Sequence, residues 1–352
     1  MTEYVVGVDG GTTKTVALVA DRDGHIVGAA RGGNSNWTGT DVEIPMRVVV
    51  TAVRKALSMA NVRPEENRVG VFGLAGADWP EDYERRAAFL SRARIAQHVI
   101  VKNDAVVGWR AGTRHTFGAV IAAGTGTNTC IITPGGKTWC YGYYAFKGGG
   151  VDIAKDGIHA VLRAEDGRGR ATRLTDAVLD HLGFATPERL LRAVTTGSVN
   201  EEKIATLCPL VFEAANRGDT VAAEILVEHG EILAEYATAA INRFDMAQET
   251  FDLVLAGSVF KGEGPLLIDT VIQRVHQVAP HVNVVRADLE PAVGAVLLAY
   301  DTLGISVSDR IMDTLFETLP DPGLFNTAAS APRSDAPPES IPSQSRNRKG
   351  DI

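Results

Sequence analysis

The stretch "VGVDGGTTKTVALVADRDGHIVG", residues 6–28, contains two turns that differ in what they require. The second, "DRDG" at residues 21–24, is an ordinary Asp-Gly link between two β-strands. The first turn places two glycines and two threonines directly after Asp9. These residues provide more hydrogen-bonding groups than a hairpin needs. The flanking runs are short and rich in β-branched residues, and they predict a three-stranded antiparallel meander: Tyr4 to Val8, Thr15 to Ala20 and His25 to Ala30.

A second segment repeats this order of strand, Gly/Thr turn, strand, glycine hairpin and strand. When the two segments are superimposed, Gly124 falls on Gly10, and "GTGT" occupies the place of the first turn. Sequence identity between the segments is slight, so the match is one of architecture, and it predicts a duplicated domain. The predicted strands of the second meander are Phe117 to Ala123, Asn128 to Thr133 and Lys137 to Tyr141.

Strands and helices alternate between the two meanders, from residue 68 to residue 112, which is typical of an α/β fold with crossover connections. Residues 151–243 are mostly helical in pattern, and a buried strand follows at residues 251–257. We therefore predict an N-terminal domain at residues 1–115 and a C-terminal domain with a helical insertion at residues 116–318. The remainder, residues 319–352, is rich in Pro, Ser and Asp without periodicity and is predicted to be a disordered tail.

Composition limits the classes of function. The chain has 352 residues, 45% of them hydrophobic and 22% charged, as in a globular protein. The net charge of -8 argues against a nucleic-acid partner, and no apolar run is long enough to cross a membrane. No secretory signal opens the sequence, so a cytoplasmic location is expected. The three cysteines lack metal-binding spacing and are expected to be reduced core residues: Cys130, Cys140 and Cys208.

Glycine-rich turns of this kind bind anions, because successive backbone amides form a concave site and hydroxyl groups add donors. Asp9 cannot bind phosphate itself, but its carboxylate can hold a magnesium ion against one. Each turn alone is also compatible with a hairpin that binds no ligand. Two such turns at matching places favour a phosphate site. The candidate residues for binding phosphate at these turns are Gly10, Gly11, Thr12, Thr13, Lys14, Gly124, Thr125, Gly126 and Thr127.

Two further segments contain candidate site residues, and each segment allows both a functional and a purely structural interpretation. Asp104 follows a predicted strand and opens a helix, so it is either a simple helix cap or a carboxylate presented at the tip of a strand. Gly257 and Ser258 interrupt a buried strand, which would let the flat ring of adenosine lie against backbone, although an ordinary turn has the same pattern.

Six motifs in order resemble those of the BadF/BadG/BcrA/BcrD ATPase family, which includes sugar kinases. Individually they are loose, but together they are specific, and the likeness extends over roughly residues 4–304. The motifs are "GVDGGTTKT" (residues 7–15), "GLAGAD" (73–78), "KNDAVVGW" (102–109), "IAAGTGTNT" (121–129), "LVLAGSVF" (253–260) and "PAVGAVLLA" (291–299).

The resemblance implies the actin-like ATPase fold, in which two duplicated ribonuclease-H-like domains close on ATP and Mg²⁺ in a cleft. It implies that Gly257 and Ser258 contact adenosine, that Asp104 is the catalytic base, and that Asp9 is near the metal. "NSNW" resembles a segment that contacts the sugar, so Asn36 and Trp37 are candidates, with Gly124 and Asp104 beside them. The implied function is an amino-sugar kinase, with N-acetylglucosamine or a related hexosamine as substrate. The oligomeric state stays open, although a dimer is common among similar kinases, so a homodimer is one candidate assembly.

The chain departs from the family pattern after the second meander. Amino-sugar kinases carry acidic residues there, whereas this chain has Gly149 and Gly150, and Asp152 comes only later. Asp152 is therefore a candidate sugar contact by a small shift. Two other functions stay open: an ATPase that activates a partner enzyme through an iron–sulfur cluster, and a sugar sensor without catalytic activity.

Overall fold

The computed structural model describes residues 3–36, 41–145 and 147–325, and these form two five-stranded sheets. The first sheet has the order β3-β2-β1-β4-β5, and the second has the order β10-β9-β6-β7-β8. The strands are β1 (Tyr4–Gly10), β2 (Thr15–Asp21), β3 (Ile26–Gly32), β4 (Asn67–Leu74), β5 (His98–Asn103), β6 (Gly118–Ala123), β7 (Thr127–Ile132), β8 (Thr138–Cys140), β9 (Asp252–Ala256) and β10 (Asn283–Arg286).

The two sheets have the same topology. In each, the first three strands are antiparallel, the fourth strand pairs in parallel with the first, and the fifth pairs in parallel with the fourth. β6 to β10 therefore repeat β1 to β5 one for one, which confirms the duplicated α/β fold. Parallel additions need crossover helices, and the second half has the longer one because a helical insertion separates β8 from β9.

Helices cover both sheets. The insertion contributes α4 to α9, whose apolar faces form one continuous core with β6 and β9. The helices are α1 (Glu43–Met59), α2 (Pro80–Arg92), α3 (Asp104–Gly112), α4 (Gly150–Glu165), α5 (Leu174–Leu182), α6 (Pro187–Thr195), α7 (Glu201–Ala205), α8 (Cys208–Asn216), α9 (Thr220–Arg243), α10 (Leu266–Val278), α11 (Pro291–Thr302) and α12 (Asp309–Glu317).

Helix α3 lies between the two halves and packs on both. Ala105 and Trp109 pack with residues of β6, β7 and β9, whereas Val107 packs in the cluster that covers the first sheet. A Cβ atom on Gly294 of α11 would come within 2.0 Å of the Val107 carbonyl oxygen, so α3 and α11 are in close backbone contact. The start of α3 is thereby held between the two sheets.

Residues 291–325 pack on the first sheet, although the sequence assigns residues 291–318 to the second half. Helices α11 and α12 join β1, β2 and β4 in one core, and Phe325 is buried in it. Residues 319–325, the start of the predicted tail, belong to this core as well, while residues 326–352 lie outside the described residues. The division at residue 115 stays a prediction.

The cysteines correct one expectation. Cys130 and Cys140 face each other across β7 and β8 and form a disulfide, so these two are not the reduced core residues that the sequence predicts. The reason is register, which places them directly opposite each other and which sequence spacing does not reveal. Cys208 is a buried free thiol, as expected. Among the described residues, no helix is long and apolar enough to cross a membrane.

Candidate active site

The first Gly/Thr turn connects β1 to β2. It is closed by a hydrogen bond from the Gly11 amide to the Lys14 carbonyl oxygen (2.8 Å). Gly10 is required by packing, since a Cβ atom there would lie 2.6 Å from the Ser35 hydroxyl. Thr12 and Thr13 are exposed, so their side chains are accessible to a ligand.

Asn36 lies beside this turn. Its Nδ2 donates to the Thr12 hydroxyl (3.2 Å), while its Oδ1 is buried without a hydrogen-bond partner among the described residues. A buried acceptor of this kind is costly unless something donates to it. Asn36 is thus placed to accept a hydrogen bond from a ligand, and its neighbour Trp37 lies outside the described residues.

The second turn connects β6 to β7 and is fixed by the start of α4. The amides of Gly150 and Val151 donate to the carbonyl oxygens of Gly124 (2.7 Å) and Thr125 (3.2 Å). The side of the turn at Gly126 is open, since no atom lies within 4 Å of a Cβ built there. This leaves space over the backbone for a ligand.

The glycines at positions 149 and 150 are explained by the same contact. A Cβ atom on Gly149 would lie 2.5 Å from the Thr125 oxygen and from the Gly126 Cα atom. No acidic side chain fits at position 149 on this backbone.

Asp152, the candidate sugar contact, binds backbone amides in this structure. Its Oδ2 accepts hydrogen bonds from the amides of Gly148 and Gly149, both at 3.1 Å, so the carboxylate caps the start of α4. Its role as a sugar contact stays a prediction, and it now has a structural role beside it.

Gly257 and Ser258 follow β9 and meet the second turn. Gly257 has φ +101°, and a Cβ atom there would lie 2.3 Å from the Ala123 carbonyl oxygen. Only glycine satisfies both conditions. The Ser258 hydroxyl lies 4.0 Å from a Cβ built on Gly124. The predicted adenosine segment and the second turn are therefore neighbours.

Asp104 is the first residue of α3, and the N-cap role belongs to Asn103. The Asn103 Oδ1 accepts from the Ala105 amide (2.9 Å), while its Nδ2 donates to the Ala77 carbonyl oxygen (3.2 Å). The Asp104 carboxylate also accepts from the Ala105 amide (3.0 Å). Because Asn103 supplies the cap, helix capping alone does not account for Asp104.

The carboxyl groups of Asp104 and Asp9 both have raised pKa values. Burial, followed by the nearby charge of Asp78, raises the pKa of Asp104 to about 6. Burial, followed by the charge of Asp104, raises the pKa of Asp9 to about 7, and Lys14 opposes this shift. The two carboxyl groups are thus close enough to affect each other, and raised pKa values of this kind are typical of functional sites.

The ammonium group of Lys14 interacts with charged side chains from both halves of the molecule. Burial lowers the pKa of its ammonium group, the carboxylates of Glu290 and Asp9 raise it, and Lys261 lowers it. Lys261 comes three residues after Ser258 and forms an ion pair with Glu290 (3.0 Å). The Lys14 ammonium also donates to the Phe325 carbonyl oxygen, which brings the end of the described chain to this turn.

Sequence reasoning missed a network of Asp78, Asn103 and Asn128. The Asp78 Oδ1 accepts from Nδ2 of Asn103 (2.9 Å) and of Asn128 (3.4 Å), and Asn128 Nδ2 also reaches Asn103 Oδ1 (3.3 Å). Asn128 belongs to the second sheet, so these bonds join the halves beside Asp104. Its position directly after the second turn is the one sequence signal that could have indicated it.

Comparisons with known proteins bear on this site. The model of the BadF/BadG/BcrA/BcrD ATPase family matches residues 6–299. The chain is 27% identical over 301 residues to an N-acetylmuramic acid/N-acetylglucosamine kinase of Clostridium acetobutylicum, covering 84% of this chain and 98% of that one. It is 26% identical over 322 residues to an N-acetyl-D-glucosamine kinase of Dictyostelium discoideum, covering 85% and 98%.

The fold also matches solved structures. A crystal structure from Chromobacterium violaceum superimposes with a TM-score of 0.65 at 23% identity, covering 84% of this chain and 98% of that one. At this identity the likeness concerns the fold, and it agrees with the duplicated sheets described above.

Proposed function

The chain belongs to the BadF/BadG/BcrA/BcrD ATPase family, and from that premise we propose that it is an ATP-dependent sugar kinase. It transfers the γ-phosphate of ATP to a hydroxyl group of an amino sugar, N-acetylglucosamine or a related hexosamine. The relatives named as kinases of these sugars support the substrate class.

The observation that carries the proposal is the placement of Asp104. It stands at the start of the helix between the two sheets, its pKa is raised to about 6, and Asn103 frees it from capping. A carboxylate of this pKa is mostly ionised at neutral pH and is a better proton acceptor than an ordinary aspartate. A general base for a sugar hydroxyl needs both properties.

The residues around Asp104 fit a nucleotide. The open face at Gly126, the exposed hydroxyl groups of Thr12 and Thr13, and the ammonium group of Lys14 supply donors for phosphate oxygens. Gly257 leaves backbone uncovered for a flat ring. Bound ATP supplies the phosphoryl group and its leaving group.

Asp9 is the residue that would hold Mg²⁺. Among residues 3–36, 41–145 and 147–325, no group of three or more His, Cys, Asp or Glu side chains could enclose a metal ion. One carboxylate is nevertheless the usual protein share of a magnesium site in which phosphate and water provide the other ligands. The pKa of Asp9 is raised first by burial and then by the charge of Asp104, and a cation bound beside it would favour its ionised form.

Catalysis then depends on what this chain does to the acceptor hydroxyl group. Asp104 accepts its proton as the oxygen attacks phosphorus, and the buried Oδ1 of Asn36 accepts a hydrogen bond from a second hydroxyl group of the sugar. Asp78 and Asn128 fix the position of Asn103 and hence of Asp104. Most of the acceleration comes from this positioning and from charge neutralisation at the two turns.

An ADP-release assay across hexoses, hexosamines and N-acetylated amino sugars with Mg-ATP tests the proposal. We expect stimulation by an amino sugar well above that by glucose. Equal ADP release with and without every sugar would contradict a kinase and favour an ATPase or a sensor. A cytoplasmic location and a homodimer stay predictions from the sequence.

A further inference from the structure

A cavity of about 460 Å³ opens between the two halves next to the catalytic base. The walls come from the start of α2 and from β5 on one side and from β8 and the residues after it on the other. The proposed function does not use this cavity, which we call the aromatic cavity. Its principal lining residues are Asp78, Trp79, Tyr83, Lys102, Trp139 and Tyr144.

The aromatic cavity adjoins the reacting centre without containing it. Asn103 lines the cavity and immediately precedes Asp104, and Asp78 lines it while hydrogen-bonding to Asn103 (2.9 Å). Asp104 itself is not part of the lining. The cavity is therefore placed to hold a part of the substrate that extends away from the phosphorylated hydroxyl group.

Two of the aromatic side chains are unusually exposed. Trp79 is 49% exposed and Tyr144 is 67% exposed, and they belong to opposite halves of the molecule. Large aromatic side chains are normally buried, and exposed ones in a concave site are typical of binding surfaces. Trp139 is held rigidly from behind, since Tyr141 packs edge-on at 4.6 Å and the Arg243 guanidinium lies 5.0 Å from its ring.

Polar groups stand at the edge of these aromatic walls. Asp78 offers carboxylate oxygens, of which Oδ1 accepts two amide donors from the protein. Lys102 is half-buried and, within the described part of the chain, has no carboxylate at ion-pair distance. Flat apolar walls with an acceptor and a donor at the edge match a pyranose ring, whose faces are C–H groups and whose rim carries hydroxyl groups.

We propose that the aromatic cavity binds a second pyranose ring, so that the preferred acceptor is a disaccharide of amino sugars. This inference rests on the proposed function and names its substrate class more closely. A short acyl chain would not need Asp78 and Lys102 at the rim, and it would fill a small part of about 460 Å³. A cavity with aromatic walls on two sides fits a ring better than a chain.

The test compares kcat/KM for N-acetylglucosamine and for its β-1,4-linked disaccharide in the ADP-release assay. Contact with two aromatic rings is expected to raise kcat/KM for the disaccharide about tenfold over that for the monosaccharide. Trp79→Ala and Tyr144→Ala should each reduce this ratio, whereas Trp79→Phe should retain most of it. Phe316→Ala is the matched control, because Phe316 is 48% exposed and lies outside the aromatic cavity.

Intrinsic tryptophan fluorescence gives a second readout that does not depend on turnover. Titration with the disaccharide, without ATP, should shift the emission of Trp79 and Trp139, and the monosaccharide should have a smaller effect. Circular dichroism and the thermal midpoint establish that each variant is folded.

The outcomes separate this inference from the proposed function. If the monosaccharide is phosphorylated and the disaccharide is not, or if Trp79→Ala leaves their ratio unchanged, the second-ring site is wrong and the kinase assignment stands. If an N-butyryl hexosamine were turned over faster than N-acetylglucosamine and the disaccharide were not phosphorylated, the cavity would be shown to bind an acyl chain. That result would overturn the proposal. No ADP release with any sugar contradicts the proposed function, whereas a fluorescence shift would still support the ring site.

Discussion

Replacing Asp104 by Asn should lower phosphoryl transfer and, above pH 6, stabilise the free protein. The amide cannot accept the proton, and a general base contributes about 10²- to 10⁴-fold to a rate. ATP should still bind, because the two turns that are proposed to hold it are unchanged. The substitution should therefore lower kcat and leave the KM for ATP unchanged.

The gain in stability follows from the raised pKa. The pKa of Asp104 rises from the ordinary 3.8 to about 6 on folding, first through burial and then through Asp78. At 1.36 kcal/mol per pKa unit this corresponds to at most about 3 kcal/mol, and partial exposure of the side chain makes about 1–3 kcal/mol the expected range. Folding favours the protonated form, so stability falls as the pH rises from about 4 to about 6 and is constant above that.

The assay measures both effects on the same preparations. Urea denaturation at pH 4 and pH 8 should show Asp104→Asn close to wild type at pH 4 and more stable at pH 8. In wild type, kcat/KM should decrease as the pH falls through the range 6 to 7, where Asp104 and Asp9 titrate as a coupled pair. Asp176→Asn is the matched control, because Asp176 is an exposed aspartate in the first turn of α5.

Near-normal phosphoryl transfer by Asp104→Asn would remove this residue from the role of base. If transfer were lost but stability at pH 8 stayed at the wild-type level, the raised pKa of Asp104 would be refuted instead. Equal destabilisation at both pH values would indicate a structural role for the carboxylate and contradict the reasoning as a whole.

Three further predictions concern the two halves of the cleft. Gly126→Ala should leave the thermal midpoint unchanged and raise the Kd for ATP about tenfold or more, since the methyl group enters the space proposed for phosphate. Gly135→Ala, in the hairpin between β7 and β8, is the control. Equal Kd values for the two variants would count against the proposed phosphate site. Gly149→Ala should lower the free energy of unfolding by about 1–3 kcal/mol through overpacking against Thr125, measured by urea denaturation; wild-type stability would show that α4 is free to move. Asn128→Ala should lower kcat at unchanged ATP affinity, because the hydrogen bond from the second sheet to Asn103 is lost. A change in ATP affinity alone would show that Asn128 acts in nucleotide binding and not in positioning Asp104.

The sequence predicted the sheets well, because alternating β-branched runs and turn residues are local signals. The alternation of strands and helices predicted for residues 68–112 is observed as β4, α2, β5 and α3. The repeated order of strand and Gly/Thr turn was sufficient to predict the duplicated fold. These features depend on neighbours in the chain, which is why one sequence reveals them.

Other features depend on contacts between distant residues, and the sequence did not reveal them. Helix α11 is apolar on most sides, so its pattern did not indicate which sheet it covers, and it packs on the first. The disulfide depends on the register of β7 and β8. The capping role of Asp152 was also not visible in the sequence, because it depends on hydrogen bonds to the amides of the preceding loop.

Hydrogen–deuterium exchange with and without a non-hydrolysable ATP analogue and Mg²⁺ tests most directly whether two turns, one from each half, hold one triphosphate. The account predicts that amides at residues 10–14 and at residues 124–127 become protected together, at the same nucleotide concentration. Protection of only one of these segments, or of neither while the nucleotide is bound, would contradict it.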